Sequence, residues 1–264
     1  MVDVHCHLNF KAFEEDCNDV IKRAKKEGVE IIINTGTSLE TSARAVELAN
    51  QYDNLYAIVG IHPHHADKLE DGWEEKIRKI AQSKKVIGIG EIGLDYYSYK
   101  SNGIVDPKIQ KEVFLTQIQI AYELNLPLQI HNRHAGEDII EILKENKDKL
   151  HKIPGMFHCF AGALDVLSQA LDLGFYIGFD GNITYKGLAP GETVSLPDLC
   201  RNTPIERILT ETDAPFLSPE PKRGGRNEPS YVIITGGKIA EIKAISQKEV
   251  DLKTTQNAKT VFNI

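Results

Sequence analysis

The chain has 264 residues, of which 41% are hydrophobic and 26% are charged, a composition typical of a folded globular protein rather than a disordered one. Its length suits a single α/β barrel, which takes about 250 residues. The net charge of −7 argues against binding of nucleic acid through a global positive field, but it leaves room for a small positive site.

Cysteine usage and the first residues bear on the compartment. Four cysteines without a C-x-x-C pair predict reduced thiols rather than a disulfide scaffold or a zinc ribbon. The opening segment Met1-Val-Asp-Val-His-Cys-His lacks the basic and apolar regions of a signal peptide. The sequence contains no run of about 18 apolar residues, so no membrane span is predicted. We therefore expect a cytoplasmic protein without membrane association, and the sequence does not specify its oligomeric state.

Eight short β-rich segments bounded by turn residues alternate with longer amphipathic segments. Strands are predicted at Val2–His7, Val29–Thr35, Leu55–Ile61, Val86–Ile92, Leu126–His131, Pro154–Phe160, Phe175–Asp180 and Arg207–Glu211. Helices are predicted at Phe13–Glu27, Leu39–Asn50, Trp73–Ala81, Lys108–Leu124, Gly136–Glu145 and Ala163–Leu173. Gly28 and Gly174 follow two of these helices, at the position where a glycine commonly ends a helix.

The alternation of strand and helix predicts a parallel sheet with right-handed crossovers. An open doubly wound sheet would fit the alternation equally well, but the count of eight favours a closed (β/α)8 TIM barrel. We find no domain boundary, so residues 1–264 are expected to form one α/β domain. The Pro/Gly-rich segment Ala214–Pro229 directly follows the last strand, which indicates a long functional loop rather than a linker.

Histidines and carboxylates collect where the predicted strands end, which is where the active site of such a barrel lies. His5 and His7 share one face of the first strand, because side chains alternate along a strand. Later strands end in, or run into, His62, His64, Glu91, His131, His158 and Asp213. Imidazole and carboxylate groups at the mouth of a barrel indicate a metal site.

Even four of these histidines, together with the two carboxylates, are too many for one tetrahedral ion. They suit two ions about 3.5–4 Å apart that share a bridging carboxylate, and Glu91 is the best candidate for the bridge. The predicted cofactor is therefore a pair of divalent ions. Zinc, manganese, magnesium, nickel and iron all remain compatible with this set of ligands.

Each of these residues also has a structural interpretation. Glu91 could pair with Arg133, Asp213 could cap a turn, and His158 could be a core histidine, but their joint occurrence at separate strand ends favours the metal site. The loop cations Lys222, Arg223 and Arg226 fit a solvated loop or a phosphate contact. The residues predicted to be peripheral or packing groups are His65, His134, His151, Tyr96, Tyr97, Cys6 and Cys159.

Several ordered motifs resemble the TatD family of metal-dependent hydrolases and deoxyribonucleases, within the amidohydrolase-like metal barrels. They are Asp3-Val-His-Cys-His-Leu, Gly60-Ile-His-Pro-His, Gly88-Ile-Gly-Glu-Ile-Gly-Leu-Asp-Tyr-Tyr, Leu126-Pro-Leu-Gln-Ile-His-Asn-Arg, His158-Cys-Phe-Ala-Gly, Glu211-Thr-Asp-Ala-Pro-Phe-Leu and Arg226-Asn-Glu-Pro. They span essentially the whole chain. Asn9 departs from the pattern, because the family often has an acidic residue there.

The resemblance implies a (β/α)8 barrel with two metal ions. By its motifs, one ion is held by His5, His7, Glu91 and Asp213, and the other by Glu91, His131 and His158. His62, Arg133 and His64 are expected to face the substrate phosphate, with Arg226 of the long loop as a further phosphate contact. Asp213 and Glu91 are the expected catalytic residues.

The predicted reaction is hydrolysis of a phosphodiester, as in a deoxyribonuclease of the 3′–5′ exonuclease type. Two ions would neutralise phosphate oxygens and lower the pKa of a bound water, whose proton Asp213 would accept as general base. Because the chain is acidic overall, we expect few phosphate contacts and a preference for single-stranded or frayed DNA ends. Two alternatives stay open: hydrolysis of an amide, ester or lactone, including D-aminoacyl-tRNA, and a non-catalytic metal-binding barrel.

Overall fold

A computed structural model describes residues 1–100 and 103–264 of the chain. Its eight strands lie side by side in chain order, and every neighbouring pair is parallel. They are β1 (Val2–Cys6), β2 (Ile31–Thr35), β3 (Leu55–Val59), β4 (Val86–Asp95), β5 (Leu128–Arg133), β6 (Gly155–Phe157), β7 (Tyr176–Phe179) and β8 (Ile208–Thr210). The α/β barrel predicted from the strand count is confirmed, and the open doubly wound sheet is not formed.

The first strand meets the segment that follows the last strand. Cys6 and Ala214 form a parallel bridge, and the Asp213 amide donates to the carbonyl oxygen of His5 at 2.9 Å. The buried carboxylate of Asp3 accepts hydrogen bonds from the backbone and the hydroxyl of Thr212, at 3.0 and 2.7 Å. These contacts close the barrel and bring the segment after β8 next to His5 and His7.

Nine α-helices surround the strands within the described ranges. They are α1 (Cys17–Lys26), α2 (Leu39–Gln51), α3 (Trp73–Ile80), α4 (Pro107–Leu124), α5 (Gly136–Glu145), α6 (Leu164–Asp172), α7 (Leu196–Asn202), α8 (Val232–Lys243) and α9 (Gln247–Phe262). Gly28 and Gly174 adopt φ angles of 88° and 94° just after α1 and α6, which confirms their predicted role in ending these helices. None of the helices in residues 1–100 and 103–264 has the length and apolar character that crossing a membrane requires.

The last helix covers one end of the barrel. Val261 and Phe262 of α9 are buried in a cluster with Val2, Val4 and Ile33 of the first two strands. Asn257 fastens the helix by donating hydrogen bonds to the carbonyl oxygens before and at the start of β8. Because this cluster fills the amino-terminal end of the barrel, the polar residues at the carboxyl ends of the strands surround the open end.

Some elements differ from the sequence-based predictions. A 3-10 turn occupies Lys11–Phe13, so α1 begins at Cys17 rather than at Phe13. β4 continues to Asp95, beyond the predicted end at Ile92, because its last residues pair with β5. Glu91 therefore lies within a strand rather than at its end.

The helices α7, α8 and α9 were absent from the predicted set. Gly236 and Gly237 lower the helix propensity in the middle of α8 and obscure its pattern. A Cβ atom at Gly236 would lie 2.7 Å from the side chain of Met1. The glycine therefore lets α8 pack closely against the end of the Met1 side chain.

Candidate metal centre

The Glu91 carboxylate lies between two pairs of histidines. Its Oε1 atom lies 2.7 Å from Nδ1 of His131 and 3.0 Å from Nε2 of His158. Its Oε2 atom lies 3.7 and 3.8 Å from the Nε2 atoms of His5 and His7. Each oxygen of one carboxylate thus faces a different pair of nitrogen ligands, which is the arrangement that a bridging carboxylate requires.

His5 of β1 and His7, which follows that strand, are oriented by hydrogen bonds on the far edge of each ring. His5 Nδ1 lies 2.8 Å from Oε1 of Gln129, whose amide nitrogen donates to the carbonyl oxygen of Val4. His7 Nδ1 donates to the carbonyl oxygen of Thr35 at 2.9 Å. With the proton on Nδ1, both Nε2 atoms keep their lone pairs for a metal, as metal-ligating histidines commonly do.

Asp213 completes the ligand group on the side of β8. Its Oδ1 atom lies 3.3 Å from Nε2 of His7 and 3.6 Å from Nε2 of His5. The residue adopts a φ of 54°, a left-handed conformation that costs free energy for a residue other than glycine and that clusters at functional sites. Its side chain is 14% exposed, against 5% for Glu91, so it is the more accessible of the two carboxylates.

The buried donor atoms fit a metal ion. Among the described residues, Nδ1 of His131, the ring nitrogen that faces Glu91, is buried without a hydrogen-bond partner of suitable geometry. Four groups of three ligand atoms lie within 4.8 Å of one another in this part of the chain, and two of them belong to the expected ligand sets: His5 with His7 and Asp213, and Glu91 with His131 and His158. Imidazole and carboxylate donors of this kind bind zinc and other first-row divalent ions.

The protonation states of Glu91 and His5 favour metal ligation. Burial alone would raise the pKa of Glu91, but His158, His62 and His131 outweigh it and hold that pKa well below its ordinary value. Burial and the neighbouring histidines lower the pKa of His5 well below its ordinary value, which keeps the ring neutral. Glu91 is therefore charged and His5 is neutral, as metal binding requires of these two ligands.

Asp95 is a site residue that the sequence interpretation missed. Its Oδ2 atom lies 3.0 Å from Nε2 of His131, 3.1 Å from Nε2 of His64 and 3.1 Å from the hydroxyl of Tyr99. Glu91 and Asp95 are four residues apart on one strand, so the period of two places both on the same face. That even spacing was the available signal, but β4 was predicted to end at Ile92.

A second missed carboxylate supports His158. Glu211 Oε1 accepts a hydrogen bond from the Cys159 amide at 2.5 Å and lies 3.8 Å from Nδ1 of His158. Burial raises the pKa of Glu211 well above its ordinary value. Its position one residue after β8 follows the same rule that located Asp213.

The metal-ligand group opens into a cavity of about 1100 Å³. Its lining includes His62 and His64, as expected, and four cationic side chains: Lys68, Arg133, Lys186 and Arg223. The Arg133 guanidinium lies over the rings of Tyr97 and Tyr99, 4.5 and 5.9 Å from their centroids. These contacts hold its positive charge at the cavity, near the carboxyl end of β5.

Arg226 lies elsewhere, contrary to expectation. Its guanidinium forms a two-pronged ion pair with Asp16, at 2.8 and 2.6 Å, and covers the ring of Phe13. It lines a separate shallow surface pocket with residues of the segment that precedes α1. The arginine of this loop that lines the barrel cavity is Arg223.

Two further side chains differ from their predicted placement: Cys159 and His65 line the cavity rather than lying in the core or at the periphery. Tyr97 packs against the guanidinium of Arg133, in keeping with its predicted packing role. Cys159 adopts a φ of 44°, which breaks the strand alternation from which its direction was predicted. Cys6 is fully buried, as expected.

Comparisons with known proteins agree with this architecture. A family model described as TatD related DNase matches residues 2–263. A Bacillus subtilis protein, named as an uncharacterized metal-dependent hydrolase, YabD, is 42% identical over 100% of this chain and 99% of its own. An Escherichia fergusonii protein named 3′-5′ ssDNA/RNA exonuclease TatD is 34% identical over 100% of this chain and 99% of its own.

A solved structure shares the fold over its full length. The crystal structure of YjjV, a TatD homolog from Escherichia coli K12, superposes with a TM-score of 0.90 at 28% identity, covering 100% of this chain and 98% of that chain. The motifs, the barrel and the family match thus agree over the whole chain. The chain therefore belongs to the TatD-related DNase family of metal-dependent hydrolases.

Proposed function

We propose that this chain is a two-metal phosphodiesterase that degrades nucleic acid from an end, with single-stranded DNA as its preferred substrate. The position of Glu91 between two pairs of histidines is the observation that carries the proposal. In the proposed assignment, one ion is bound by His5, His7, Glu91 and Asp213, and the other by Glu91, His131 and His158.

When bound, the two ions would neutralise charge on the phosphate oxygens and lower the pKa of a water molecule. The side chains have separate tasks. Asp213 accepts the proton of the attacking water as general base, because its carboxylate is partly exposed to the cavity. Arg133, stacked on Tyr97 and thereby held in place, donates to phosphate oxygens as negative charge develops on them. His62 and His64 line the same cavity and are proposed to orient the phosphate.

Charge distribution supports a nucleic acid substrate bound through few contacts. The whole chain carries −7, yet the cavity is lined by Lys68, Arg133, Lys186 and Arg223. A cationic channel of this kind binds a flexible single strand or a frayed end with little sequence preference. The relative named as a 3′-5′ ssDNA/RNA exonuclease supports the same class of substrate and that direction of attack.

The decisive experiment is a substrate comparison with metal-reconstituted protein. Single-stranded DNA, duplex DNA, RNA, D-aminoacyl-tRNA, a lactone and a simple phosphodiester are incubated in parallel, with strands labelled at either end. We expect stepwise shortening of single-stranded DNA from its 3′ end, faster than of duplex, and no activity in the presence of a chelator. Parallel reactions with zinc, manganese, magnesium, nickel and iron identify the ion.

Other outcomes contradict the proposal in distinct ways. Hydrolysis confined to D-aminoacyl-tRNA or the lactone assigns the same centre to another bond. Metal binding without hydrolysis of any substrate would indicate a non-catalytic barrel.

The four cysteines, all of them among the described residues, are unpaired, which supports our assignment of the protein to the reducing cytoplasm.

A further inference from the structure

Two phenylalanines lie beside the metal-ligand histidines at the cavity mouth. The ring of Phe10 stacks on His7 with a centroid distance of 4.4 Å and an interplanar angle of 10°. The ring of Phe216 lies 6.3 Å from both Phe10 and His7, edge-on to each. Phe216 lines the cavity and is 51% exposed. A large apolar ring is thus presented to solvent one side chain away from the metal centre.

The loop that carries Phe216 is held in place from below. Asn227 is fully buried, and its side-chain amide donates hydrogen bonds of 2.7 Å to the carbonyl oxygens of Thr212 and Phe216. The Phe216 amide donates to the carbonyl oxygen of Asp213 at 2.8 Å. The backbone that carries the exposed ring is therefore fixed relative to a metal-ligand residue, and ordering this loop on ligand binding costs little conformational entropy.

The surroundings of Phe216 indicate which kind of ligand binds against its ring. Leu188, which is 55% exposed, and Phe10 line the same cavity. The mouth therefore combines apolar side chains with the positive charges of Lys186 and Arg223. Aromatic and cationic groups at one mouth can bind the bases and the phosphates of a single strand. Phenylalanine has a flat face but no polar atom, so it accepts any base without reading its hydrogen-bonding edge.

We propose that Phe216 stacks on the base of a nucleotide that flanks the cleaved bond, and so makes the site selective for unpaired ends that carry a base. The inference rests on the proposed nuclease function and extends it by naming a base-binding subsite. An unpaired base can leave its neighbours and reach the ring, whereas a base within an intact duplex cannot. The ring thereby favours single-stranded and frayed substrates.

The test compares oligonucleotides that differ only in one terminal base. Each of the two nucleotides at the 3′ end is replaced in turn by an abasic tetrahydrofuran analogue. For the intact oligonucleotide, we expect Phe216→Ala to raise KM about tenfold with little change in kcat, because a stacked base is lost. We expect the unmodified protein to bind one of the two abasic substrates more weakly than the intact oligonucleotide. For that substrate, Phe216→Ala should cause no further loss of affinity.

Two further substitutions separate stacking from general apolar contact. Phe216→Trp should keep or improve KM, whereas Phe216→Leu should resemble Phe216→Ala, because leucine lacks a flat aromatic face. Leu252→Ala, at a residue of α9 that is 66% exposed, is the matched control and should leave both constants unchanged. Melting temperatures close to that of the unmodified protein verify that each variant is folded.

The results distinguish this inference from the proposed function. Equal losses on intact and abasic substrates, or unchanged KM in Phe216→Ala, would overturn the stacking subsite while leaving the nuclease assignment intact. If the unmodified protein cleaves none of the oligonucleotides, both proposals are overturned together.

Discussion

The Nε2 atom of His131 lies 3.0 Å from the Oδ2 atom of Asp95, on the ring edge opposite the Nδ1 atom that faces Glu91. A carboxylate in this position fixes the ring and increases the basicity of the ligating nitrogen. We expect Asp95→Asn to weaken divalent-ion binding about 10- to 100-fold, measured by competition with a chromogenic chelator. Unchanged affinity in a folded Asp95→Asn protein would show that His131 needs no such partner.

Metal binding should depend on pH. Burial lowers the pKa of His131, but the neighbouring carboxylates of Asp95 and Glu91 outweigh this and raise it to about 9 in the metal-free protein. The ring is therefore protonated at neutral pH, and an ion that binds it must displace a proton. Apparent affinity should increase about tenfold per pH unit from pH 6.5 towards 9, with proton release detected by calorimetry in buffers of different ionisation enthalpy. A pH-independent affinity contradicts this assignment.

Removing the charge of Glu91 should affect both ions. Glu91→Gln keeps the size of the side chain but removes the negative charge that faces both pairs of histidines. We expect metal content to fall well below that of the unmodified protein, measured by elemental analysis after purification at fixed metal concentration. Glu192→Gln, in the lining of the same cavity, is the control and should bind metal normally. Full loading with normal turnover in Glu91→Gln would exclude a bridging role.

Asp213 should be required for turnover more than for folding. Asp213→Asn retains the shape of the side chain but loses the basicity, and loss of a general base costs about 10²–10⁴-fold in kcat. The assay uses saturating metal, because Asp213 also faces His5 and His7. Asparagine serves nearly as well as aspartate in capping a turn. Near-normal kcat in the folded variant therefore supports a purely structural aspartate.

The two arginines proposed as phosphate contacts should behave differently. Arg133→Ala should raise KM for oligonucleotides, because its guanidinium lies in the cavity against Tyr97. Arg226→Ala should leave KM unchanged, because its charge is paired with Asp16 outside that cavity. Steady-state kinetics at two salt concentrations test both variants. A larger effect of Arg226 than of Arg133 would reverse their assigned roles.

Local patterns in the sequence identified most of the barrel. Short apolar runs bounded by turn residues predicted eight strands, and glycines such as Gly28 predicted where helices end. The helices α7, α8 and α9 escaped prediction, since α8 has two glycines at its centre and is stabilised by packing on Met1. Helix propensity does not describe such tertiary packing.

The ligand residues were accessible to the same reasoning, but their partners were not. His5, His7 and Asp213 follow from the rule that polar residues at the carboxyl ends of barrel strands form the site. Asp95 and Glu211 also lie at the carboxyl ends of strands, but the histidines that they and Gln129 contact are distant in sequence, and local patterns do not indicate which histidine each one contacts. Arg226 shows the converse, because an arginine in the right loop pairs instead with the start of α1.

The sequence by itself determined the number of strands, the chain's membership of a metal-barrel family and the residue types at each strand end, because these depend on local periodicity and motif spacing. Only the tertiary structure decided which oxygen of Glu91 faces which histidines, which carboxylate supports His131, and that Phe216 stands beside His7. These relationships depend on the register between strands and on the course of loops. Register and loop course result from packing across the whole barrel, to which residues far apart in the chain contribute together.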